Sequence, residues 1–492
     1  MTSVKSDVRE AKHFIGGEWS DASAGATFED RDPFTGDVVA NVAAGTRADA
    51  ARAIEAAAAA FPEWSQSLPA QRQAIFLKAA DVLEARRDEV VALLARETGC
   101  SFGFGMFQMS FVPGLLRQAA ALAYAPLGQI IPSDHPGTLA MGIRKPAGVV
   151  AAIAPWNAAL ILSARSIAAP LAVANTVVLK PSELSPIVGG LLWGEVFTEA
   201  GLPPGVLNVV THAPGGAGPI GEELTENPAV RRINFTGSTE AGRRIAEAAG
   251  RNLKRVVLEL GGYNPLVVLA DADLDYAVNA SAFGAFLHQG QICMSARKII
   301  VERPIADEFT SRLAEKTKTL KTGDPKEPST IIGPLINESA LQMVKERVQD
   351  AVAKGAKVLA GGEADGPCFQ ATLISDVPDD SDFAKHETFG PVVAVEVVDS
   401  AEQAIERANA TTYGLSAGIL TSDTDRGFAL AQRLESGIVH VNDQPVGDEP
   451  QMPFGGVKDS GWGRFGGQAV VDEFTELRWI TVQGGAGHPF PF

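Results

Sequence analysis

Short apolar runs that alternate with helical patterns constrain this chain more than any other feature. Five such runs follow one another between residues 148 and 262: "GVVAAIAP", "NTVVLKP", "GVLNVVTH", "RRINFTGS" and "RVVLELGG". Each is rich in β-branched residues and flanked by turn-forming residues, which is typical of a buried strand. Because helical patterns separate them, the runs predict consecutive βαβ units and a parallel sheet.

A second series begins after residue 262, with "NPLVVLA", "KIIVE", "VVAVEVV" and "SAGILT". A chain of 492 residues also exceeds one ordinary domain. We therefore expect an α/β protein of two or three domains. The segment from Ala48 to about Glu97 is predicted to be helical. Near the end of the chain, "ELRWITVQ" reads as a strand without a local partner, which makes it a candidate intersubunit edge.

The charge balance excludes several classes of partner. The net charge is −17, from 59 acidic and 42 basic residues, and such a surface repels nucleic acid and anionic lipid. The most apolar stretch is interrupted by Pro155 and Asn157, so no membrane span is predicted. The first residues lack the apolar core of a signal peptide, and we expect a cytoplasmic protein.

The three cysteines, Cys100, Cys293 and Cys368, form neither a disulfide framework nor a metal-binding pattern, so no metal site is predicted. Cys293 lies in "FLHQGQICMSARK", where Gly290 permits close approach of a ligand or another backbone. The pattern fits either a nucleophile or a small buried residue. Cys100 and Cys368 are predicted to be structural.

Two polar residues near strand ends are candidate partners of a nucleophile. Glu259 lies inside an apolar run, where a carboxyl group is either half of a buried ion pair or a general base with a raised pKa. Asn157 follows a predicted strand, where its amide can donate to an oxyanion or cap the next helix.

Other polar residues follow strands at positions where parallel sheets bind ligands. Lys180 and Glu183 come directly after "VVL", and Ser238 begins a predicted helix whose amino end favours an anion. Glu387 and Phe389 are bracketed by turn residues in "HETFGP".

Two short motifs favour other functions only weakly. The sequence "GGAGPIG" contains G-x-G-x-x-G from Gly216, but a convincing acidic residue about 20 positions further on is missing. The sequence "GLSAG" contains G-x-S-x-G around Ser416, but it runs into another predicted strand, whereas a nucleophile elbow leads into a helix.

Taken in order, the motifs "PWN", "KPSE", "FTGSTEAG", "LELGG", "GQICMSA", "ETFGP" and "PFGGVKDSG" resemble those of the aldehyde dehydrogenase superfamily. The resemblance extends from "FIGGEW" near the start to "GWGRFGG" near the end. It implies a Rossmann-like NAD-binding domain, an α/β catalytic domain and a small β arm that joins subunits into a homodimer or homotetramer. The implied ranges are 1–122 and 147–258 for NAD binding, 259–447 for catalysis, and 123–146 and 470–492 for the arm.

The resemblance also implies catalytic roles. Cys293 attacks the aldehyde, and Asn157 with the Cys293 backbone N–H holds the oxyanion. Hydride transfer to the nicotinamide leaves a thioester, which a water activated by Glu259 hydrolyses to the free acid. Relatives that pass the acyl group to coenzyme A typically lack this glutamate, so a free acid is expected.

The implied cofactor is NAD, with NADP possible, because Glu183 repels a 2′-phosphate whereas Lys180 tolerates one. The cofactor-binding residues expected from the resemblance are Ile153, Pro155, Trp156, Lys180, Ser182, Glu183, Phe235, Gly237, Ser238, Leu260, Glu387 and Phe389.

The details "FLHQGQICMSARKIIVER" and "GWGRFGG" are most similar to the branch that acts on aromatic aldehydes such as vanillin, benzaldehyde and salicylaldehyde. An aliphatic aldehyde or semialdehyde, and a thiol hydrolase without a cofactor, are the alternatives. Arg165 either meets a phenolic or methoxy oxygen or pairs with an acid at the helix surface. The residues expected at the substrate are Ala158, Ile161, Leu162, Arg165, Met106, Ile292, Met294 and Phe454.

Overall fold

The computed structural model describes residues 8–484 and 490–492. The first residues of the expected NAD-binding range (1–7) and part of the expected arm (485–489) lie outside the described residues. Within the described part, no helix combines the length and apolar character needed to cross a membrane.

The described residues contain fifteen α-helices, one π-helical turn, Ile187–Leu191, and one 3₁₀ turn, Leu287–Gly290. The helices are α1 (Arg47–Trp64), α2 (Pro69–Ala85), α3 (Arg87–Thr98), α4 (Phe102–Leu122), α5 (Ala159–Ala172), α6 (Leu192–Glu199), α7 (Ala217–Glu226), α8 (Thr239–Arg251), α9 (Leu274–Phe286), α10 (Arg303–Lys318), α11 (Glu338–Ala353), α12 (Asp382–Lys385), α13 (Ala401–Asn409), α14 (Thr424–Ala431) and α15 (Ala469–Glu473).

The strands are grouped into two large sheets and four small ones. They are β1 (Arg9–Ala11), β2 (His13–Ile15), β3 (Glu18–Ser20), β4 (Thr27–Arg31), β5 (Val38–Ala43), β6 (Gly128–Ile131), β7 (Thr138–Pro146), β8 (Val149–Ile153), β9 (Thr176–Lys180), β10 (Leu207–Val209), β11 (Val230–Thr236), β12 (Arg255–Glu259), β13 (Asn264–Val268), β14 (Ala296–Glu302), β15 (Lys357–Ala360), β16 (Ala364–Asp365), β17 (Cys368–Phe369), β18 (Thr372–Ser375), β19 (Val392–Val398), β20 (Tyr413–Gly414), β21 (Ser416–Leu420), β22 (Ile438–Val441), β23 (Val457–Lys458), β24 (Gly461–Trp462) and β25 (Thr475–Gln483).

The five predicted runs form the centre of the first large sheet. Its order is β24-β12-β11-β8-β9-β10-β2-β3, and the five strands from β12 to β10 are parallel. Chain order reverses between β8 and β11, because β9 and β10 extend one side while β11 and β12 extend the other. This reversal is the arrangement of a doubly wound sheet, in which a ligand crevice opens at the carboxyl ends of the two strands.

The second series forms a seven-stranded sheet in the order β15-β18-β19-β14-β13-β21-β22. Its strands are parallel except β15. The central strands β8, β9 and β13 are buried along their whole length, as is typical of parallel strands that helices cover. The predicted α/β class is confirmed.

The predicted helical region divides into three helices. The long stretch expected after residue 70 is broken at Arg86, which lies between α2 and α3. Gly99 then ends α3 in the left-handed conformation (φ +63°), which glycine adopts without steric cost.

The late strand does have a partner within its own chain. β25 pairs antiparallel with β7 over nine residues, from Thr475 with Pro146 to Gln483 with Thr138, and β7 pairs with β6 on its other side. The helix α15 just before β25 belongs to the main core instead, because Val470 and Val471 are buried there.

Candidate active site

Cys293 lies in a strained loop just before β14. His288 and Gln289 adopt left-handed backbone conformations (φ +51° and +55°) although neither is glycine, and Gly290 follows at φ +65°. Such conformations cost about 1–3 kcal/mol each at non-glycine residues and persist only where the surrounding structure holds them. A side chain at Gly290 would collide with the carbonyl of Gly390, so the loop touches a second loop around Gly390.

A buried arginine joins these two loops. Arg297 of β14 is fully buried, and its guanidinium donates to the carbonyl oxygens of Gly390 (2.8 Å) and Gly290. Burial lowers its pKa to about 10, so it stays charged at neutral pH. Sequence reasoning did not identify this residue, although a basic side chain at the start of the apolar run "ARKIIVE" was a signal for buried partners.

The Cys293 thiol packs against the main apolar core, and Asn264 Nδ2 donates to the Cys293 carbonyl at 2.7 Å. Burial raises the pKa of the thiol far above its ordinary value. The negative charges of Glu387 and Glu259 raise this pKa further, whereas the charge of Arg165 lowers it. The thiol is therefore protonated at neutral pH unless another positive charge comes close.

Glu259 ends β12 with both carboxyl oxygens buried and without a hydrogen-bond partner among the described residues. The backbone of Gly455 comes so close that a Cβ there would lie 2.8 Å from Oε1. Burial raises the pKa of Glu259 well above its usual range, against the charges of Arg165 and Arg464. An unpartnered carboxyl group of this kind can bind a water molecule and exchange a proton with it.

Asn157 lies four residues beyond Ile153, where β8 ends. The side chain is buried, and the next helix has Ala158 at its amino end without any side-chain cap. Asn157 therefore does not cap that helix. Its amide group lies at the point of strand reversal, where it can donate to a ligand oxygen.

The edge of the first sheet brings several predicted cofactor residues together. Ile153 ends β8 and lies in register between Lys180 of β9 and Phe235 of β11. Pro155 and Trp156 follow Ile153 across the same edge.

Lys180 is paired with a histidine that the sequence reasoning missed. Its Nζ lies 2.6 Å from Nε2 of His212 and donates to the Pro181 carbonyl at 3.1 Å. Nδ1 of His212 lies 2.9 Å from the Ala213 carbonyl, which fixes Nδ1 as the donor and leaves Nε2 to accept from Lys180. Burial and the lysine charge lower the pKa of His212 to about 4, so the imidazole is neutral. In the sequence, the signal for His212 was its place just after the predicted strand "GVLNVV", where parallel sheets bind ligands.

Glu183 extends this group towards the surface. Ser182 Oγ donates to Glu183 Oε2 at 3.2 Å, and the same oxygen lies 3.8 Å from His212 Nε2. The Glu183 side chain is 29% exposed, so its remaining acceptor sites can reach a ligand.

The amino end of α8 has a close backbone approach. A Cβ at Gly237 would lie only 2.5 Å from the Phe235 ring. Ser238 caps the helix, accepting a backbone N–H of the first turn at 3.3 Å, and Leu260 is buried against the helix. The remaining N–H groups of the turn form an anion site of the usual kind.

Glu387 and Phe389 lie opposite this edge. Gly262 N donates to Glu387 Oε1 at 3.3 Å, and burial raises the pKa of Glu387 to about 7, against the charge of Arg297. The Phe389 ring meets Trp156 edge-on at a centroid distance of 5.6 Å.

The predicted apolar substrate residues share one cluster with the nucleophile. The side chains that belong to it or pack against it are Ala158, Ile161, Leu162, Ile292, Met294, Phe454, Met106 and Cys293.

Arg165 pairs with an acid, as the second of the two alternatives predicted. The pair is buried, however, and does not lie at the helix surface. Arg165 Nη2 donates to Asp448 Oδ2 at 2.5 Å, and the two side chains are only 7% and 11% exposed. The guanidinium carbon lies 4.2 Å from the centre of the Phe454 ring. Asp448 was also missed, because only the fold brings it to α5.

The two weak motifs have structural explanations. Gly216 opens α7 beside β10, and Ser416 lies within β21, where its hydroxyl donates to the Pro445 carbonyl at 2.6 Å. Among the residues that the structure describes, no group of three or more His, Cys, Asp or Glu side chains can hold a metal ion.

Comparison with known proteins adds independent evidence. The aldehyde dehydrogenase family profile matches residues 19–480. The chain is 49% identical to a vanillin dehydrogenase of Pseudomonas fluorescens over 96% of this chain and 98% of that one. It is 44% identical to a benzaldehyde dehydrogenase [NAD(+)] of Pseudomonas putida, covering 93% and 94% of the two chains.

Among solved structures, the salicylaldehyde dehydrogenase of Pseudomonas putida G7 complexed with salicylaldehyde superposes with a TM-score of 0.96. It shares 42% sequence identity, with 98% of this chain and 100% of that chain covered. Motif order, fold and profile agree, and the chain belongs to the aldehyde dehydrogenase family.

Proposed function

We propose that this aldehyde dehydrogenase oxidises an aromatic aldehyde to the free carboxylic acid, with NAD(P) as the oxidant and Cys293 as the nucleophile. The proposal is carried by the position of Cys293. Its thiol packs against an apolar wall, and buried Glu259 is close enough for its charge to raise the pKa of the thiol. The names of the similar proteins, which are vanillin, benzaldehyde and salicylaldehyde dehydrogenases, support the aromatic class.

In this proposal Cys293, as the thiolate, forms a bond to the aldehyde carbon. Asn157 and a backbone N–H donate to the oxyanion that develops. A bound dinucleotide supplies the hydride acceptor of the reaction. Glu259 then takes a proton from a water molecule, which releases the acyl group as the acid. Burial raises the pKa of Glu259 above its ordinary range, which makes its carboxylate a stronger base than that of an exposed glutamate.

The side chains fit a dinucleotide. The Glu387 carboxyl group accepts a hydrogen bond from Gly262 N. Its remaining acceptor positions can receive hydrogen bonds from ribose hydroxyls. Glu183 offers the same chemistry at the other end, and the first turn of α8 offers N–H groups to a pyrophosphate. Ile153, Pro155, Trp156, Phe235, Leu260 and Phe389 would supply the apolar contacts.

We infer a preference for NAD over NADP. The Glu183 carboxylate repels a 2′-phosphate. The Lys180 ammonium, which would attract that phosphate, is already engaged by His212 and the Pro181 carbonyl.

The domain assignment belongs to the same proposal. We propose that the described parts of 1–122 and 147–258 form the NAD-binding domain and that 259–447 form the catalytic domain. We assign 123–146 and the described part of 470–492 to the arm of a homodimer or homotetramer, except that α15 packs into the main core. The three free cysteines are consistent with a cytoplasmic location.

The test is reduced-nicotinamide absorbance after the protein is mixed with NAD and one aldehyde from a panel. The panel contains vanillin, benzaldehyde, salicylaldehyde, acetaldehyde and succinic semialdehyde, and the Cys293→Ala variant is the control. We expect the highest kcat/KM with the aromatic aldehydes and no turnover by the variant. A signal confined to acetaldehyde or the semialdehyde would overturn the aromatic assignment. Ester hydrolysis without any need for NAD(P) would favour the hydrolase only if no aldehyde of the panel yields reduced nicotinamide.

A further inference from the structure

A buried ion pair lies at the edge of the apolar cluster around Cys293, and the proposed chemistry does not use it. Arg165 lies two helical turns beyond Asn157 on α5 and contacts Asp448, which comes from the loop after β22. Burying such a pair is seldom stabilising compared with apolar side chains of the same size. The pair therefore calls for an explanation beyond stability.

The electrostatics connect this pair to the reacting groups. The charge of Arg165 lowers the pKa of both Cys293 and Glu259, whereas the charge of Asp448 raises both. The two charges therefore act on the site where the aldehyde must bind. Phe454, which packs on the Arg165 guanidinium, belongs to the same apolar cluster as Ile161 and Leu162.

One oxygen of the pair lacks a partner. Asp448 Oδ2 accepts from Arg165, and the backbone N–H of Glu449 lies beside the carboxylate, but Oδ1 is buried and accepts no hydrogen bond from any side chain that the structure describes. Leaving a buried acceptor unpaired destabilises a protein, so such an atom in a ligand site points to a donor on the ligand.

We infer that Asp448, held in place by Arg165, is a specificity-determining residue that accepts a hydrogen bond from a ring hydroxyl of the substrate. The inference rests on the proposed function and narrows it from aromatic aldehydes to hydroxylated benzaldehydes. A plain benzaldehyde leaves Oδ1 unpaired, and a methyl ether adds bulk without supplying a donor. A site that hydrogen-bonds a substrate hydroxyl discriminates against analogues without it.

The experiment compares kcat/KM for benzaldehyde, 3-hydroxybenzaldehyde, 4-hydroxybenzaldehyde and the two corresponding methyl ethers. We expect the natural chain to favour at least one hydroxybenzaldehyde over its methyl ether by about tenfold or more, the usual effect of a hydrogen bond to a charged group. Asp448→Asn keeps the shape but loses the charge, and we expect this ratio to fall several-fold.

Two further variants complete the design. Arg165→Met combined with Asp448→Leu replaces both polar groups by apolar ones, a change that buried ion pairs often tolerate. We expect this double variant to lose the preference for the hydroxyl group, so that its kcat/KM ratio of a hydroxybenzaldehyde to the methyl ether falls to about one. Glu449→Gln changes the adjacent, exposed carboxylate and should leave the ratio unchanged.

A second readout distinguishes Asp448 from a merely structural residue. Its charge raises the pKa of Cys293, so Asp448→Asn should move the pH midpoint of Cys293 alkylation by iodoacetamide downwards.

The inference is overturned if the natural chain oxidises hydroxybenzaldehydes and their methyl ethers equally well. It is also overturned if Asp448→Asn lowers kcat/KM by one common factor for all five substrates. If the natural chain oxidises acetaldehyde but none of the five, the aromatic assignment itself fails, which is a different result.

Discussion

At the scale of single residues, the site combines three acidic groups whose protonated form the fold favours. Glu259 is buried, Cys293 and Glu387 are half-buried, and loss of solvent raises the pKa of each. In the protein alone they are mutually repulsive if charged. A positively charged ligand beside Cys293 would reverse this, because opposite charge favours the thiolate.

The first prediction concerns Glu259. Replacing it by glutamine removes the base while keeping the shape, so the acyl-enzyme should form but hydrolyse slowly. We expect a burst of about one reduced nicotinamide per active site, followed by a steady rate lower by about 10²–10⁴-fold, the usual contribution of a general base. Stopped-flow absorbance measures both phases.

The pH dependence provides the control. A base acts in its deprotonated form, and burial raises the pKa of Glu259, so the deacylation rate of the natural chain should increase with pH, with a midpoint above that of an ordinary glutamate. The glutamine variant should show a flat profile. A rate that falls with increasing pH, or a variant without a burst, would contradict the role of Glu259 as the base.

At the scale of elements, the nucleophile is positioned by a loop rather than by regular structure. The sequence could predict the strands on either side, because β-branched runs between turn residues are local signals. It could not predict the left-handed conformations of His288 and Gln289. These are stabilised by contacts from distant segments: Gln289 Nε2 donates to the carbonyls of Gly99 and Pro334, and the His288 ring stacks on Phe104.

The second prediction therefore concerns Arg297, which joins the two loops. Arg297→Lys keeps the charge but removes the planar fork that donates to both Gly290 and Gly390. One buried carbonyl left unpaired costs about 1–3 kcal/mol, so we expect unfolding at lower urea concentration. Cys293 alkylation should become less sensitive to NAD, since the loops that hold the thiol and Phe389 are no longer fixed to each other.

Arg303→Lys is the matched control, because Arg303 forms an exposed pair with Asp399. A change at an exposed pair should alter stability by less than about 0.5 kcal/mol and leave alkylation unchanged. Equal effects of the two substitutions would show that Arg297 has no special role.

At the scale of the whole molecule, the sequence predicted the α/β class and the two strand series. The strand order of the first sheet, with its reversal between β8 and β11, was not predicted. Neither were the partners His212 and Asp448. The strand order and the contact of Asp448 with Arg165 depend on which distant segments the fold brings side by side, and a single sequence has no local signal for that. For His212 the only signal was its place just after a predicted strand.

The last prediction concerns the arm formed by β6, β7 and β25. Its three strands expose large apolar side chains that a lone chain leaves in water: Ile130 is 76% exposed, Leu477 63% and Trp479 79%. A sheet of three strands without a core of its own is only marginally stable, and an exposed apolar patch marks an interaction surface. We expect this surface to bind another copy of the chain.

Leu477→Asp combined with Trp479→Asp should then convert the assembly into smaller species, measured by size-exclusion chromatography with light scattering. Leu253→Asp is the control, since Leu253 is 95% exposed on a turn away from the arm. If the double variant keeps the mass of the natural chain, the arm is not the assembly surface. If instead it forms monomers that still bind NAD, assembly stabilises the arm while the dinucleotide site is complete within one chain, as the residues on β8, β9 and β11 imply.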